Sequence, residues 1–271
     1  DYANWGLMVP FGAPYDDINS NGVYDTGIDK PGMKNAAQTI FVCLTDGFTE
    51  SHTASEGFSG GTLPLKAEMH LTAWSYNVAG LQDVQFLKME MVNRNSSPWK
   101  KTHFGLVSDV ELGFALDDYV GCDTIRKLGY CYNADSIDGT GSPAHYGANP
   151  PAVGIDMLKG GVNNSVTIGA DLNMTSCIFY RGSGPTICEH DPTGSKLEAY
   201  NNLRGLKSDS TPHINPMTMK RTKYCFPGDP ETNTGWTEYV GKINNCGGDT
   251  TGMFEQPSAL ADKRIVIGSG A

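Results

Sequence analysis

The sequence predicts an all-β protein, specifically a β-sandwich of jelly-roll or immunoglobulin-like type with long ordered loops and calcium sites. Three observations predict it. Short segments with alternating apolar residues recur along the 271 residues, whereas a single segment favours a helix. Gly and Pro are plentiful, with 33 and 15 residues, which suits short strands joined by turns. An apolar content of 39% and an aromatic content of 10% are enough to drive collapse, which argues against disorder.

The strongest strand candidate is segment 65–74, where every second residue is apolar. Segment 84–92 repeats this pattern, and 77–80 between them is expected to close a hairpin. The polar residues that alternate within the first segment are expected to face solvent: Lys66, Glu68, His70 and Thr72.

The remaining elements follow the same criteria along the chain. The helix candidate is 195–206, which is rich in helix-forming residues and has Gly205 near its end. The further strand candidates are 38–45, 103–109, 128–133, 165–169, 174–180, 219–226 and 263–268. Neither an internal repeat nor a low-complexity linker is visible, so a single module over 1–271 is predicted, with a sub-boundary near 160 as the alternative.

Charge restricts the classes of partner. The chain has 30 acidic and 20 basic residues, for a net charge of −10. Such a protein repels phosphate backbones, so nucleic acid is not an expected partner. No apolar run approaches the roughly 20 residues needed to span a bilayer, so no membrane span is predicted. Acidic residues grouped in loops instead favour hard cations.

The clearest local motif is a candidate calcium loop that begins at Asp17. Gly22 provides the sharp turn at loop position 6, as in loops of the EF-hand type. Ile28 occupies position 12, where a bidentate acid is usual, and Asp29 is expected to replace it. The alternative is a turn rich in Asp and Asn without metal. The predicted ligands are Asp17, Asn19, Asn21, the carbonyl of Val23, Asp25 and Asp29.

A second acidic cluster predicts a second calcium site, because neighbouring carboxylates repel one another unless a cation neutralises them. Asn133, Asp135 and Asp138 follow it in the chain. The alternative is a solvated acidic loop. The predicted ligands are Asp109, Glu111, Asp117, Asp118 and Asp123.

Seven cysteines are present, and none belongs to a CxxC motif. Six of them fall into short-range pairs, which favours disulfides formed in an oxidising compartment. Cys43, in an apolar run, is predicted to be a buried free thiol. Pairing by proximity, which is a hypothesis only, gives Cys122/Cys131, Cys177/Cys188 and Cys225/Cys246.

Recognised catalytic motifs are missing from the sequence, including HExxH, GxSxG, a phosphate loop and a dinucleotide fingerprint. The triplets around His52 and His190 are isolated, and Glu68 and Glu90 lie on predicted neighbouring strands. An exposed tryptophan would suit sugar stacking, although a buried one is the ordinary case. The tryptophans considered for this role are Trp74, Trp99 and Trp236.

Several blocks resemble large uncharacterised secreted or cell-surface proteins of Bacteroidetes-type bacteria, which are exported by a type IX-like route. The similarity extends over nearly the whole chain. It implies secretion and a chain that is part of a longer protein, and it brings no known activity. The blocks are Tyr15 to Asp25, Gln38 to Gly47, the DDYVGCDT block at 117–124, 128–135, 146–154, 226–236 and 262–264.

Together these features predict an extracellular, calcium-stabilised structural or adhesive surface module rather than an enzyme. Self-association into a filament or sheath, or binding to other surface proteins, is the expected partnership. The alternatives are a carbohydrate-binding module, for which glycans are the partner, and a calcium-dependent hydrolase.

Overall fold

A computed structural model describes residues 2–53, 61–139, 141–163, 169–182, 186–192, 194–247 and 252–270. The chain forms two compact units, one over 1–56 and 60–99 and the other over 57–59 and 100–271. Each unit is described by itself, and the single module over 1–271 stays a prediction. Of the strand predicted over 165–169, residues 165–168 lie outside the described part.

The first unit is built around a three-stranded antiparallel meander. Its elements are helix α1 (Trp5–Met8) and strands β1 (Tyr15–Asp16), β2 (Lys30–Pro31), β3 (Gln38–Thr45), β4 (Ala67–Ser75) and β5 (Gln85–Asn93). β1 pairs with β2, and β4 lies between β3 and β5. A turn connects β4 to β5, as the hairpin prediction requires. In this turn the N–H of Leu81 donates to the carbonyl of Val78 at 3.0 Å.

Over most of its length, this meander exposes the face opposite to the one predicted from sequence, although Lys66 is exposed as predicted and Ala67 is buried. Thr72, predicted to face solvent, is buried, and the ring of His70 packs against Phe11. The apolar side instead faces outward: Leu87 is 53% exposed and Met89 is 48% exposed. The prediction was wrong because alternation separates two faces but does not say which one the N-terminal segment covers.

The second unit consists of short strands in several small sheets. They are β6 (His103–Asp109), β7 (Asp118–Asp123), β8 (Leu128–Asn133), β9 (Ile137–Asp138), β10 (Gly147–Ala148), β11 (Ala152–Asp156), β12 (Val162–Asn163), β13 (Ala170–Asp171), β14 (Ser176–Arg181), β15 (His213–Asn215), β16 (Lys220–Thr222), β17 (Lys242–Asn244), β18 (Met253–Glu255) and β19 (Lys263–Gly270). β19 lies between β14 and β6, and β8 lies between β11 and β7. Helix α2 (Lys196–Leu203) falls within the predicted helix 195–206.

Two of these sheets share one core. Gly129 of β8 lies against Ile265 and Ile267 of β19, and a Cβ at position 129 would come within 2.8 Å of Ile267 Cδ1. Glycine therefore permits the close approach of the two sheets. The core also contains Val266, Phe226 and other buried apolar side chains.

The described chain is mostly strand with few helices, which confirms the all-β prediction. β3, β6 and β8 have the predicted bounds. Candidate 219–226 was too long, because the chain leaves β16 and inserts into the core. There Phe226 has a φ of +51°, and the N–H of Cys225 donates to the carbonyl of Cys177 at 2.9 Å. Among the described residues, no helix is long and apolar enough to cross a membrane.

One disulfide joins Cys188 to Cys246. The proximity pairs Cys177/Cys188 and Cys225/Cys246 were therefore wrong, because spacing along the chain does not report which loops meet in space. Cys43 is a free thiol as predicted, although it is half-buried rather than buried. The other free cysteines are Cys122, Cys131, Cys177 and Cys225, all of them buried.

Candidate calcium-binding sites

The predicted calcium loop folds tightly around its own oxygen atoms. Asp17 accepts the backbone N–H groups of Asn21 and Gly22 at 3.2 and 2.7 Å. The side-chain amides of Asn19 and Asn21 donate to Asp25 Oδ2 at 2.8 and 2.7 Å. These two hydrogen bonds, that of Asn19 first, lower the pKa of Asp25. The turn itself is possible because Gly22 has a φ of +78°.

Asp29 closes the loop, as the sequence suggested. Its Oδ1 accepts the N–H of Ile18 at 2.9 Å and its Oδ2 accepts the N–H of Asp25 at 2.7 Å. Asp29 is buried, whereas Ile28 at the usual position 12 is 55% exposed. The Asp29 carboxylate therefore ties both ends of the loop together, and the Ile28 side chain is left in solvent.

The side chains of this loop are of the types that hold a hard divalent cation, although its three carboxylates do not all bring an oxygen within 4.8 Å of one another. Carboxylate and amide oxygens carry more than one lone pair, so an oxygen that accepts a backbone N–H keeps capacity for a metal. Ca²⁺ takes six to eight such oxygens from flexible loops. The three carboxylates Asp17, Asp25 and Asp29, two amide side chains and the carbonyl of Val23 supply that number.

The second predicted cluster does not form one site. The oxygens of Asp109 and Glu111 lie within 4.8 Å of an oxygen of Asp262, which sequence reasoning had not included. Arg264 binds Asp109 at 3.1 Å and also pairs with Asp262, so a guanidinium already neutralises part of this group. That makes it a poor cation site.

Asp123 lies in a turn of its own. Its Oδ1 accepts the backbone N–H groups of Ile125 and Arg126 at 2.9 Å, and its Oδ2 pairs with the Arg126 guanidinium at 2.6 Å. These bonds, those of Arg126 first, lower the pKa of Asp123. The arrangement is that of a turn cap with a surface ion pair.

Asp117 and Asp118 lie in the interior beside Asn133 and Asp138. Asp118 is 1% exposed and accepts the N–H of Leu112 at 3.2 Å. Burial raises the pKa of the Asp118 carboxyl to about 7, and the nearby carboxylates of Asp117 and Asp138 add to the shift. Burial likewise raises the pKa of Asp117. Of the predicted cluster, Asp117 and Asp118 therefore stay together, whereas Asp109, Glu111 and Asp123 lie elsewhere.

Sequence reasoning missed a buried ion-pair cluster in the second unit. Glu189 Oε1 lies 2.9 Å from Lys207 Nζ, and Glu189 Oε2 pairs with Lys242. All three side chains are buried. They come from segments 18 to 53 residues apart, and isolated Lys and Glu residues in polar stretches give no signal of burial.

A third group with metal-ligand geometry consists of Cys188, Cys246 and Asp209. The two sulfurs are bonded to each other and offer no thiolate. Asp209 Oδ2 accepts the N–H of Gly247 at 2.7 Å. This group is therefore a cross-link supported by a hydrogen bond.

Two tryptophans considered for sugar binding and two glutamates considered for hydrolysis contact other groups of the protein. Trp236 is buried in the core, and Trp74 is half-buried and stacks on Phe86 with ring centroids 5.4 Å apart. Glu68 pairs with Arg94, which lowers the pKa of Glu68 to about 2. Glu90 pairs with Lys88 at 3.0 Å.

The two candidate histidine triplets differ in their surroundings. The His52 ring bonds Thr62 Oγ1 at 2.8 Å and the carbonyl of Asp46 at 2.7 Å. In the triplet around His190, the carboxylate of Glu189 is held by the two buried lysines described above.

Comparisons with protein families, curated proteins and solved structures found no match for this chain.

Proposed function

We propose that this chain is an extracellular, calcium-stabilised structural or adhesive module that associates with further copies of itself. The observation that carries the proposal is the exposed apolar face of the β3–β4–β5 meander. The disulfide supports an oxidising compartment, since such bonds persist outside the cytosol.

The exposed face, here named the meander face, is a three-by-three array of apolar side chains. Strand register places one residue of each strand in every row. Leu87, Met89 and Ile40 are about half exposed, at 53%, 48% and 51%. Contiguous exposed apolar patches mark interaction sites on proteins. The nine residues are Ile40, Ala73 and Leu87; Val42, Leu71 and Met89; and Leu44, Met69 and Met91.

A second copy of the chain is the partner that this face fits. The meander face has no charged member, so its complement must also be uncharged, and an identical face meets that requirement. Two such sheets can stack with their apolar sides about 10 Å apart. Nine residues are fewer than the about 20 a side of a stable interface, so the association is expected to be weak and concentration-dependent.

Charged residues on this face are expected to abolish self-association. The double variant Leu87→Lys/Met89→Lys places two ammonium groups in a desolvated contact and should sediment as a monomer. The wild-type chain should form dimers or larger species as its concentration rises, visible by analytical ultracentrifugation and electron microscopy. The matched control is Lys88→Gln/Glu90→Gln on the opposite side of the same strand. A wild-type chain that stays monomeric at all concentrations contradicts the proposal.

Calcium removal is expected to destabilise the first unit. An ion bound only by the folded state contributes about 2.7 kcal/mol when its free concentration is a hundred times Kd. For a unit of this size, that lowers the melting temperature by roughly 10 °C or more. Tryptophan fluorescence with calcium and with EDTA measures it, because Trp5, Trp74 and Trp99 lie in this unit.

Variants locate the effect of calcium within the loop. Asp17→Ala and Asp25→Ala should each have the same melting temperature in calcium and in EDTA. Asp83→Ala, which removes an exposed carboxylate elsewhere in the same unit, should keep the full calcium response. Equal melting temperatures of the wild-type chain in calcium and in EDTA would sink the calcium hypothesis for this loop.

A further inference from the structure

Three carboxylates of the second unit, those of Asp117, Asp118 and Asp138, lie near the corner where β7 begins and β8 ends. Asp118 begins β7 and is paired directly with Asn133 at the end of β8. Asp117 precedes β7, and its carbonyl accepts the N–H of Ala134 at 2.9 Å. Asp138 ends β9 and is 0% exposed, and Asn133 is 7% exposed. Three strands therefore bring four oxygen-bearing side chains together, three of them buried and that of Asp117 half-buried.

Three side-chain oxygens at this corner are buried without any hydrogen-bond partner. They are Oδ1 of Asp117, Oδ1 of Asp118 and Oδ1 of Asn133. The other oxygens of the two aspartates accept backbone N–H groups. Gly139 donates to Asp117 Oδ2 at 3.1 Å, and Leu112 donates to Asp118 Oδ2 at 3.2 Å. Backbone amides thus fix each carboxylate and leave its second oxygen free.

Positive charge close to this corner does not balance the carboxylates. Lys263 Nζ lies 3.3 Å from the carbonyl of Asp118, but it also lies 2.7 Å from Glu238 Oε2. Its charge is therefore matched by Glu238. Unpaired buried carboxylates are costly, so such groups take up either protons or a cation.

A proton satisfies this corner less completely than a metal ion does. A protonated Asp118 has one O–H to donate, so it can satisfy the free oxygen of either Asp117 or Asn133 and leaves the other without a partner. A divalent cation accepts several oxygens at once and neutralises two charges. Hard cations prefer carboxylate and amide oxygens.

Backbone groups lie close around the Asp138 carboxylate and donate to both of its oxygens. Phe114 donates its N–H to Asp138 Oδ1 at 2.7 Å, and Tyr146 donates to Asp138 Oδ2. Gly113 has a φ of +77°, and a Cβ at this position would overlap the carboxylate. Only glycine allows the 112–114 segment to lie this close.

We propose that Asp117, Asp118, Asn133 and Asp138 form a second cation site, one that binds Ca²⁺ as a hard divalent cation and is independent of the loop at 17–29. The carboxylate oxygens of the three aspartates do not all lie within 4.8 Å of one another. The ion therefore takes part of its shell from water, which enters beside the half-buried Asp117. The site joins β7, β8 and β9 and stabilises the second unit.

Calcium stoichiometry of the full chain tests the site. After dialysis against EDTA, isothermal titration with Ca²⁺ should show two classes of site in the wild-type chain. Asp118→Asn, which keeps shape and removes charge, should lose one class, and Asp25→Ala should lose the other. Asp123→Asn, in the separate turn, should retain both.

The outcomes separate this site from the loop. If Asp118→Asn binds as much Ca²⁺ as the wild-type chain, the interior site is refuted, whatever happens at the loop. If Asp25→Ala has no effect but Asp118→Asn loses a class, the loop hypothesis fails and the interior site stands. Circular dichroism confirms that each variant is folded. Should Asp118→Asn fail to fold, the half-buried Asp117→Asn must lose the same class for the proposal to survive.

Discussion

Replacing Glu189 with alanine is expected to destabilise the second unit by about 3–5 kcal/mol, since it leaves the buried ammonium of Lys207 without a carboxylate and leaves Lys242 with only Glu255, at 3.7 Å. Glu189 lies between the ammonium groups of Lys207 and Lys242, and its side chain is 2% exposed. Lys207 keeps a hydrogen bond to the carbonyl of Asn245 at 2.7 Å, but that carbonyl has no charge to offset the ammonium. Denaturant unfolding followed by the fluorescence of Trp236 measures the loss.

The control for Glu189→Ala is Arg126→Ala, which removes the surface pair with Asp123 and leaves the turn hydrogen bonds of Asp123 in place. Exposed pairs contribute about 0–1 kcal/mol, so this variant should unfold close to the wild-type midpoint. If Glu189→Ala unfolds within about 0.5 kcal/mol of the wild-type chain, the buried cluster does not stabilise the fold.

The same cluster predicts the direction of acid unfolding. Burial alone would raise the pKa of Glu189, but Lys242 and Lys207 outweigh it and hold the value at about 2, below the ordinary 4.5. A depressed pKa gives stability that is present above the unfolded value and is lost as pH falls. The wild-type chain should therefore lose stability between about pH 4.5 and 2, and Glu189→Ala should lose less over that range.

Removing the Cys188–Cys246 disulfide is the second change with a large expected effect. The two cysteines are 58 residues apart, and a closed loop of that length contributes about 4 kcal/mol in the chain-entropy account. The double variant Cys188→Ser/Cys246→Ser should therefore unfold at markedly lower denaturant concentration. Urea unfolding of both proteins gives the difference in the free energy of unfolding.

Cys43→Ser serves as the matched control for the disulfide. It also removes a thiol, but Cys43 is not cross-linked and lies in the first unit. In the Cys43→Ser variant, the second unit should unfold at the same midpoint as it does in the wild-type chain. If the double serine variant is as stable as the control, the cross-link does not constrain the unfolded chain.

The closed form of the loop was predictable because its acidic and amide residues lie within 13 consecutive residues, Asp17 to Asp29. Spacing along the chain then determines which oxygens meet, and Gly22 permits the turn. The substitution of Asp29 for position 12 was also visible from sequence. Its burial, and its bonds to Ile18 and Asp25, required the structure.

The second acidic cluster was predictable only in part, because its members are placed by different strands. Asp118 was correctly linked with Asp117, since they are adjacent. Asn133 lies beside Asp118 only because β7 pairs with β8. Asp262 lies near Asp109 only because β19 pairs with β6. Such contacts depend on register, which sequence spacing does not give.

The sequence by itself determined the longer strands, such as β3, β6 and β8, because a run of strand-forming residues is a local property of the extended chain. Only the tertiary structure decided which face of the meander is exposed, which cysteine joins Cys188, and which lysines surround Glu189. Each of these depends on segments far apart in the chain meeting in space. Their meeting is driven by burial and by backbone pairing, to which many residues contribute and which no short motif records.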